Sequence, residues 1–375
     1  MIAQSENARL ALAAINREPT IGIPTSTTHI MEHSIIERIA GTQAGSYVLD
    51  PHNVYIKMLK NAGVCMLDQY IADNPLIMGD QGYETEEKTA TTGGFAFIDG
   101  MYIKEPEDVV SHMEKYAIPR MLEKIRLFDE QQVQRDIILE ESAISAMLGN
   151  DILKVGYEHL KIPHLHYHTY GYTPYFTAFL LYPDVIDKLI NLEGEYALRH
   201  NQAVVSIYQK AGFPFFHRLD HDVADSRGIL CGLRGLERSW LPALEKAIKP
   251  AVDADFTLLW HCDGNLMELV PRLLDCGING FQGFQYEDGM DYVEICKLKS
   301  IKGRTMVIQA GVSVTKELPF GSVTDVKRQL RFLVDNGPRT GLFLGFSSSC
   351  VPGTPWENIK TALEGFAYYR QHGRK

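Results

Sequence analysis

The stretch "DFTLLWHCDGNLMELVPRLLDCGINGFQGF", residues 255–284, contains the unit that decides the fold. An apolar run ending on His261 is followed by a helix-like segment, by Gly277 and by a second apolar run. Strands that are apolar on both faces and separated by helices are typical of a parallel sheet covered on both sides. The stretch therefore predicts a strand–helix–strand unit of an α/β protein.

The same alternation is repeated along the second half of the chain. Strand-like apolar runs, each followed by an amphipathic helix-like segment, occupy residues 213–220, 255–262, 278–284, 304–312 and 341–348. Repeated βα units predict a single (β/α)8 TIM-type barrel over residues 1–375, with an open doubly wound sheet as the alternative. None of the runs is followed by a GxGxxG or GxxxxGK pattern, which disfavours a nucleotide-binding site.

The first half of the chain is more helical. A strand is expected in residues 20–27. Helices are expected in an N-terminal extension over about residues 1–18, in 29–41, in a long stretch over 108–148 and in a pair over 174–211. Pro119 lies inside the long stretch and should break or kink it, because proline has no N–H to donate and its ring clashes with the preceding turn.

Composition limits the function classes. At 375 residues with 45% hydrophobic residues, the chain is long enough to bury a large core. The formal charge of −10 disfavours nucleic acid and anionic membranes as partners. Six cysteines are scattered without paired spacing, so reduced thiols are expected. With no signal-peptide pattern and no membrane-spanning run, a cytoplasmic enzyme is expected.

Metal-competent side chains follow the strand of the opening stretch. Side chains alternate along a strand, so His261 and Asp263 share one side and Cys262 faces the other. A histidine and a carboxylate at a strand end supply two ligands of a zinc site, and Cys350, just beyond the last strand-like run, is the candidate third. The alternative is that His261 is hydrogen-bonded inside the barrel and Cys350 is a buried apolar side chain.

Other strand ends carry polar candidates for catalysis and binding. Asp220 and Asp222 share one side of their strand end and His221 faces the other, and all three are candidate catalytic residues. Gln285 lies at the end of a later strand and is a candidate substrate-binding residue. The alternative is that such loop acids cap a helix or face water.

The aromatic run "HLHYHTYGYTPYF", residues 164–176, contains four tyrosines and three histidines. It predicts a wall for a flat ligand, with Tyr170 and Tyr172 as substrate-binding residues, or rings that simply pack under a surface loop. His29 and His33 are four residues apart and would share one face of a helix. Without a third ligand nearby, they are a weak metal candidate.

Two segments give the chain a resemblance to a known family. Residues 261–291, "HCDGNLMELVPRLLDCGINGFQGFQYEDGMD", and residues 347–363, "SSSCVPGTPWENIKTAL", resemble the uroporphyrinogen decarboxylase superfamily and, within it, the corrinoid-dependent methyltransferases. The similarity extends over roughly residues 170–370. It implies zinc bound by a His-x-Cys pair after one barrel strand and by a distant cysteine, at positions that are His261, Asp263 and Cys350 in this chain.

Two departures from the family pattern bear on function. Residues 22–34 lack the arginines that receive tetrapyrrole carboxylates in the decarboxylases, so a tetrapyrrole decarboxylase is the less favoured alternative. Asp263 stands where the family has the cysteine of the His-x-Cys pair. Zinc with one remaining thiolate would be a harder Lewis acid that prefers oxygen.

The resemblance therefore implies a zinc-dependent methyltransferase. It would move a methyl group from a methyl ether, expected to be aromatic, to the Co(I) corrinoid (cobalamin) of a partner protein, with Asp222 assisting the departing oxygen. A methylcobalamin:thiol methyltransferase of the coenzyme M type is one alternative, and a corrinoid-binding scaffold without turnover is another. The expected partners are the corrinoid protein and a small-molecule methyl donor, and a homodimer is compatible with the sequence.

Overall fold

The computed structural model describes residues 5–26, 29–72 and 96–374. Its strands are β1 (Met66–Leu67), β2 (Ala96–Ile98), β3 (Met101–Ile103), β4 (Leu153–Lys154), β5 (Gly156–Tyr157), β6 (Phe216–Asp220), β7 (Ala224–Asp225), β8 (Gly228–Ile229), β9 (Thr257–His261), β10 (Gly280–Gln282), β11 (Val307–Val312) and β12 (Leu342–Phe346). A parallel sheet runs in the order β12, β11, β10, β9, β6, β5, and β1 pairs in parallel with β4. The pairs β2–β3 and β7–β8 are antiparallel hairpins outside this sheet.

Thr25 closes the sheet into a barrel. It pairs in parallel with Leu344 of β12, and its carbonyl accepts a hydrogen bond from the N–H of Cys65 at 2.8 Å. The Cys65 carbonyl accepts in turn from Leu153 at 2.9 Å, and β4 and β5 are one strand interrupted at Val155. The described residues thus form a closed circuit of eight parallel strands, which confirms the predicted (β/α)8 TIM-type barrel over the open sheet.

Helices pack around these strands. Their bounds are Glu6–Ile15, His33–Ala40, Ser46–Leu49, Pro51–Asn61, Pro106–His112, Ile118–Arg126, Glu130–Leu148, Tyr167–Tyr170, Tyr172–Leu181, Pro183–Ala211, Leu233–Gly235, Leu241–Asp253, Val270–Cys276, Tyr292–Lys297, Glu317–Phe320, Val323–Asn336 and Trp356–His372. The helix expected after each of the last five strand-like runs is present. No helix among the described residues is both long and apolar enough to cross a membrane.

The predicted distortion at Pro119 takes the form of a π-helical turn. This turn covers Met113–Ala117, and the helix continues beyond the proline to Arg126. A second π-helical turn, Leu236–Trp240, precedes Pro242 in the same way. The wider turn keeps the proline ring away from the carbonyl four residues earlier, so the helix continues past the proline.

The helix Glu6–Ile15 closes the N-terminal end of the barrel. Its small buried residues Ala8, Ala11 and Ala14 allow a close approach to the strands. They belong to one cluster with interior side chains from six positions around the barrel: Met66, Leu153, Phe216, Leu259, Val307 and Phe343. The residues expected to form an N-terminal helical extension therefore include a helix that seals the lower core.

Arg17 ties the end of this helix to three neighbouring strands. Its guanidinium donates to the carbonyl of Thr305 at 2.6 Å, to the carbonyl of Asn279 at 3.2 Å and to the hydroxyl of Thr257 at 3.0 Å. The residue has a φ of 62°, a left-handed conformation that is uncommon for a residue with a Cβ. The hydrogen bonds hold the backbone in this conformation and fix the first helix beneath β9, β10 and β11.

Arg17→Met keeps much of the aliphatic stem and removes these hydrogen bonds. Hydrogen bonds to a charged group contribute about 1.5–3 kcal/mol each, so we expect the free energy of unfolding to fall by about 3 kcal/mol in chemical denaturation. The matched control is Arg126→Met, at a side chain that is 70% exposed, which should change the free energy of unfolding by less than about 0.5 kcal/mol. Equal effects of the two substitutions would show that Arg17 does not anchor the helix.

Candidate metal centre

A polar cavity of about 250 Å³ lies at the carboxyl end of the barrel strands. Its polar and charged lining consists of His29, Asp68, Gln69, Arg218, Asp220, Asp222, His261, Gln282, Gln309, Ser348 and Ser349. A larger groove of about 1270 Å³ lies beside the helix Glu6–Ile15 at the other end of the barrel. Barrel enzymes carry their chemistry at the carboxyl end of the strands, so the smaller, polar cavity is the candidate site.

The end of β6 delivers two carboxylates to this cavity. Arg218, Asp220 and Asp222 all line it, as the alternation of side chains along a strand requires. His221 faces the other way, where its buried ring nitrogen Nε2 accepts a hydrogen bond from the N–H of Leu165 at 2.9 Å. The structure therefore places the candidate catalytic residues Asp220 and Asp222 in the cavity and places His221 in the packing outside the barrel.

The end of β9 shows the same alternation. His261 lines the cavity, and its Nε2 lies 3.9 Å from Oδ1 of Asp220. Cys262 is buried in the outer core, where its sulfur accepts a hydrogen bond from the N–H of Val223 at 3.4 Å. The expected facing of His261 and Cys262 is thus what the structure shows.

Asp220, Asp222 and His261 form the candidate metal centre. One ligand atom from each lies within 4.8 Å of the others, and no other such group of histidines, cysteines and acids occurs among the described residues. Two carboxylates and an imidazole can hold a divalent cation with a position left open, as three protein ligands do in catalytic zinc sites. This cluster has more oxygen ligands than the predicted set of His261, Asp263 and Cys350. The ligand atoms of that predicted set do not all lie within 4.8 Å of one another.

Cys350 lies beside the cavity wall in the described structure. It is buried, and its backbone N–H donates to the carbonyl of His29 at 2.6 Å. Burial raises the pKa of the Cys350 thiol to about 11, although a hydrogen bond with Thr354 acts in the opposite direction. Its thiol does not lie within the group formed by Asp220, Asp222 and His261.

Asp263 lies next to the cluster and supports it. Its N–H donates to Oδ1 of Asp222 at 2.8 Å, while its own Oδ1 is buried without a hydrogen-bond partner among the described residues. Burial raises the pKa of the Asp263 carboxyl to about 6, and the charges of Asp222 and Asp220 act in the same direction. A buried carboxyl beside two others is electrostatically costly, and a bound cation would relieve that cost.

Arg218 is a site residue that the sequence analysis did not identify. Its buried guanidinium lies 3.4 Å from Oδ2 of Asp68 and 3.3 Å from Oδ2 of Asp220, and it stacks 4.6 Å above the ring of Tyr157. Tyr157 also donates its hydroxyl to Oδ2 of Asp220 at 3.2 Å. These contacts fix the orientation of the Asp220 carboxylate, as hydrogen-bond partners of metal ligands commonly do. The period-2 pattern of Arg218, Asp220 and Asp222 was the available signal.

His29 was considered from the sequence only as one of a helical pair with His33, and that predicted context was wrong. The helix begins at His33, so His29 does not share a helical face with it and instead lines the cavity. Its Nε2 is buried without a hydrogen-bond partner among the described residues. Burial lowers the pKa of His29 to about 4, and the charge of Arg218 acts in the same direction. The ring is therefore neutral at physiological pH.

The candidate substrate-binding residues lie outside the cavity. Tyr170 is buried, with its hydroxyl 3.0 Å from Nδ1 of His112. Tyr172 lines a separate groove beside the β7–β8 hairpin. Gln285 accepts a hydrogen bond from the N–H of Gly264 at 2.6 Å and so braces the loop after β9. Gln282, three residues earlier than Gln285, lines the cavity.

The barrel resembles a solved structure over nearly its whole length. A methyltransferase from Methanosarcina mazei aligns with a TM-score of 0.54 at 15% identity, over 97% of this chain and 98% of that chain. The two chains share a fold, and at 15% identity the similarity concerns the fold alone.

Two further solved structures are more distant. A B12-independent methionine synthase from Shewanella sp. W3-18-1 aligns with a TM-score of 0.40 at 13% identity, over 62% of this chain and 65% of that chain. A putative vitamin-B12 independent methionine synthase from Listeria monocytogenes aligns with a TM-score of 0.43 at 13% identity, over 95% and 97%. Neither a family model nor a curated protein matches this sequence.

Substitutions separate the two ligand sets. Asp220→Asn and His261→Gln should each weaken zinc binding by at least about 100-fold, because each removes one of three protein ligands. Cys350→Ser should bind zinc as the unsubstituted protein does, since its thiol lies outside the cluster. Competition with a chromogenic chelator measures all three affinities. Loss of zinc in Cys350→Ser would restore the cysteine to the ligand set.

Proposed function

We propose that this protein is a zinc-dependent methyltransferase that transfers a methyl group from a methyl ether to the Co(I) corrinoid of a partner protein. The observation that carries the proposal is the cluster of Asp220, Asp222 and His261 at the active end of a methyltransferase barrel. An ether methyl group is a poor electrophile until its oxygen is polarised. A cation bound by this cluster would supply Lewis acidity toward that oxygen.

The donor atoms of the cluster favour an oxygen substrate over a thiol. Carboxylates are hard ligands and leave the bound ion a stronger acceptor for oxygen, whereas two thiolates would soften it. Cys262 faces away from the cavity, and Cys350 lies outside the cluster. Among the described residues, no cysteine contributes a sulfur ligand to this cluster. This disfavours the thiol methyltransferase alternative.

The chain's own groups hold the two carboxylates in place for this task. The ion pair with Arg218 and the hydroxyl of Tyr157 fix Asp220, while the N–H of Asp263 fixes Asp222. Donors directed at a carboxylate fix its orientation, as partners of metal ligands commonly do. In this proposal Asp222 acts as a ligand in place of the expected role of assisting the departing oxygen.

The size and polarity of the cavity favour a small methyl donor. Its described walls enclose about 250 Å³ and are largely polar. Tyr170 and Tyr172, which supported an aromatic ether, do not line it. The guanidinium of Arg218 is already committed to Asp68 and Asp220, so it does not offer the free cationic clamp that a tetrapyrrole decarboxylase needs. A compact methyl ether suits these walls best.

The reaction can be tested with free cob(I)alamin as the methyl acceptor. The zinc-loaded protein and a small methyl ether should yield methylcobalamin and the corresponding alcohol, whose oxygen takes its proton from solvent. Asp220→Asn should lower this rate by at least about 100-fold, in step with its loss of zinc. Methylcobalamin formation is followed by absorbance. Methylation of 2-mercaptoethanol from methylcobalamin, without activity on any ether, would favour the thiol reaction and contradict the proposal.

The role of Arg218 is tested separately. Arg218→Gln should weaken zinc binding by about 10–100-fold, the usual effect of removing a group that orients a metal ligand. The control is Arg227→Gln, whose side chain is 88% exposed and pairs with Asp225 on the hairpin; it should leave zinc affinity unchanged. Tight zinc binding in Arg218→Gln would show that Asp220 needs no support from the guanidinium.

A further inference from the structure

Four side chains of the cavity lie in one row across neighbouring strands. Asp220 of β6 pairs with His261 of β9, His261 pairs with Gln282 of β10, and Gln282 pairs with Gln309 of β11. Paired residues of parallel strands point to the same face of a sheet, and all four line the cavity. Two members of the row belong to the candidate metal centre, and the two amides continue it along the barrel wall.

The amide of Gln282 has a defined orientation. Its Nε2 donates to the carbonyl of Ser347 at 3.2 Å, which assigns the nitrogen to that side. Its Oε1 is buried and has no hydrogen-bond partner among the described residues. A buried amide oxygen without a partner is uncommon in a folded protein and calls for a donor from a ligand or a water molecule.

Gln309 and His29 offer further hydrogen-bonding capacity. Gln309 is 6% exposed, and its side chain lines the cavity. The Nε2 of His29 is likewise buried without a partner among the described residues. The cavity therefore contains an amide oxygen and a ring nitrogen without a partner among the described residues, beside the amide of Gln309.

The charges of the cavity exclude one class of ligand. Asp68, Asp220 and Asp222 contribute three carboxyl groups to the lining, against the one guanidinium of Arg218. A divalent cation would bring this set to neutrality, with no positive charge left over for an anion. A carboxylate or phosphate on the substrate would therefore meet no compensating charge when it leaves water.

We infer that Gln282 and Gln309 form the substrate-recognition wall of the site and select a neutral methyl donor that carries a hydroxyl group. The hydroxyl donates to Oε1 of Gln282 and accepts from the amide of Gln309, while the ether oxygen faces Asp220, Asp222 and His261. This inference rests on the proposed function for the identity of the reacting group. The hydroxyl recognition itself rests on the two amides.

Three small ethers that differ at one end test the inference. They are 2-methoxyethanol, with a hydroxyl group, 1,2-dimethoxyethane, which accepts but cannot donate, and methoxyacetate, which is an anion. Ligand-observed NMR titration of the zinc-loaded protein gives their dissociation constants. We expect 2-methoxyethanol to bind about tenfold more tightly than the diether, the effect of one neutral hydrogen bond, and methoxyacetate to bind most weakly.

Substitutions assign the preference to the amides. Gln282→Met keeps the length of the side chain and should bring the alcohol-to-diether ratio close to one. Gln309→Met should weaken the binding of the alcohol and of the diether alike, because both can accept the amide hydrogen, and should leave the ratio nearly unchanged. Gln209→Met, at an exposed position on the helix Pro183–Ala211, should leave the ratio unchanged.

The outcomes separate this inference from the proposed function. Undetectable binding of 2-methoxyethanol, tightest binding of methoxyacetate, an unchanged ratio in Gln282→Met, or undiminished binding of both ethers in Gln309→Met would overturn the inference. Equal methyl transfer from the alcohol and the diether to cob(I)alamin would also overturn it and leave the proposed function standing. Selective binding of 2-methoxyethanol without any methyl transfer would sustain the recognition wall and reject the reaction.

Discussion

The pairing register between β6, β9, β10 and β11 is the constraint on which the site depends. Because Asp220, His261, Gln282 and Gln309 pair across these strands, their side chains meet inside the barrel at one level. A shift of one residue in any pair would turn a polar side chain into the outer core and an apolar one into the cavity. The closure of the sheet at Thr25 and the core at the lower end of the barrel maintain this register.

The site is a region of concentrated charge inside an otherwise apolar barrel. Carboxyl groups lie close together there, and burial makes each of them costly unless a partner supplies positive charge. Arg218 supplies positive charge to Asp68 and Asp220 on one side. On the other side, the cluster of Asp220, Asp222 and His261 has the geometry to bind a cation. The same physical demand that makes these residues unfavourable as core side chains makes them suitable as metal ligands.

The comparison with the solved methyltransferase concerns the scaffold, and the candidate centre has other residues than the one that the sequence resemblance implies. The resemblance assigned the metal to His261, Asp263 and Cys350, whereas the structure groups His261 with Asp220 and Asp222. A barrel permits such a change because every strand ends at the same rim. Ligands can therefore come from different neighbouring strands while the fold stays the same.

The sequence by itself determined the barrel and the alternation of side chains at the ends of its strands. These follow from local chemistry, since apolar runs, helix-ending glycines and the period of two are properties of neighbouring residues. Which strand ends face each other was decided only by the tertiary structure. The period of two could indicate that Arg218 shares a face with Asp220, but the presence of His29 and Asp68 beside them depends on closure through Thr25 and on the inter-strand register. These bring together residues far apart in the chain, and no local pattern records those distances.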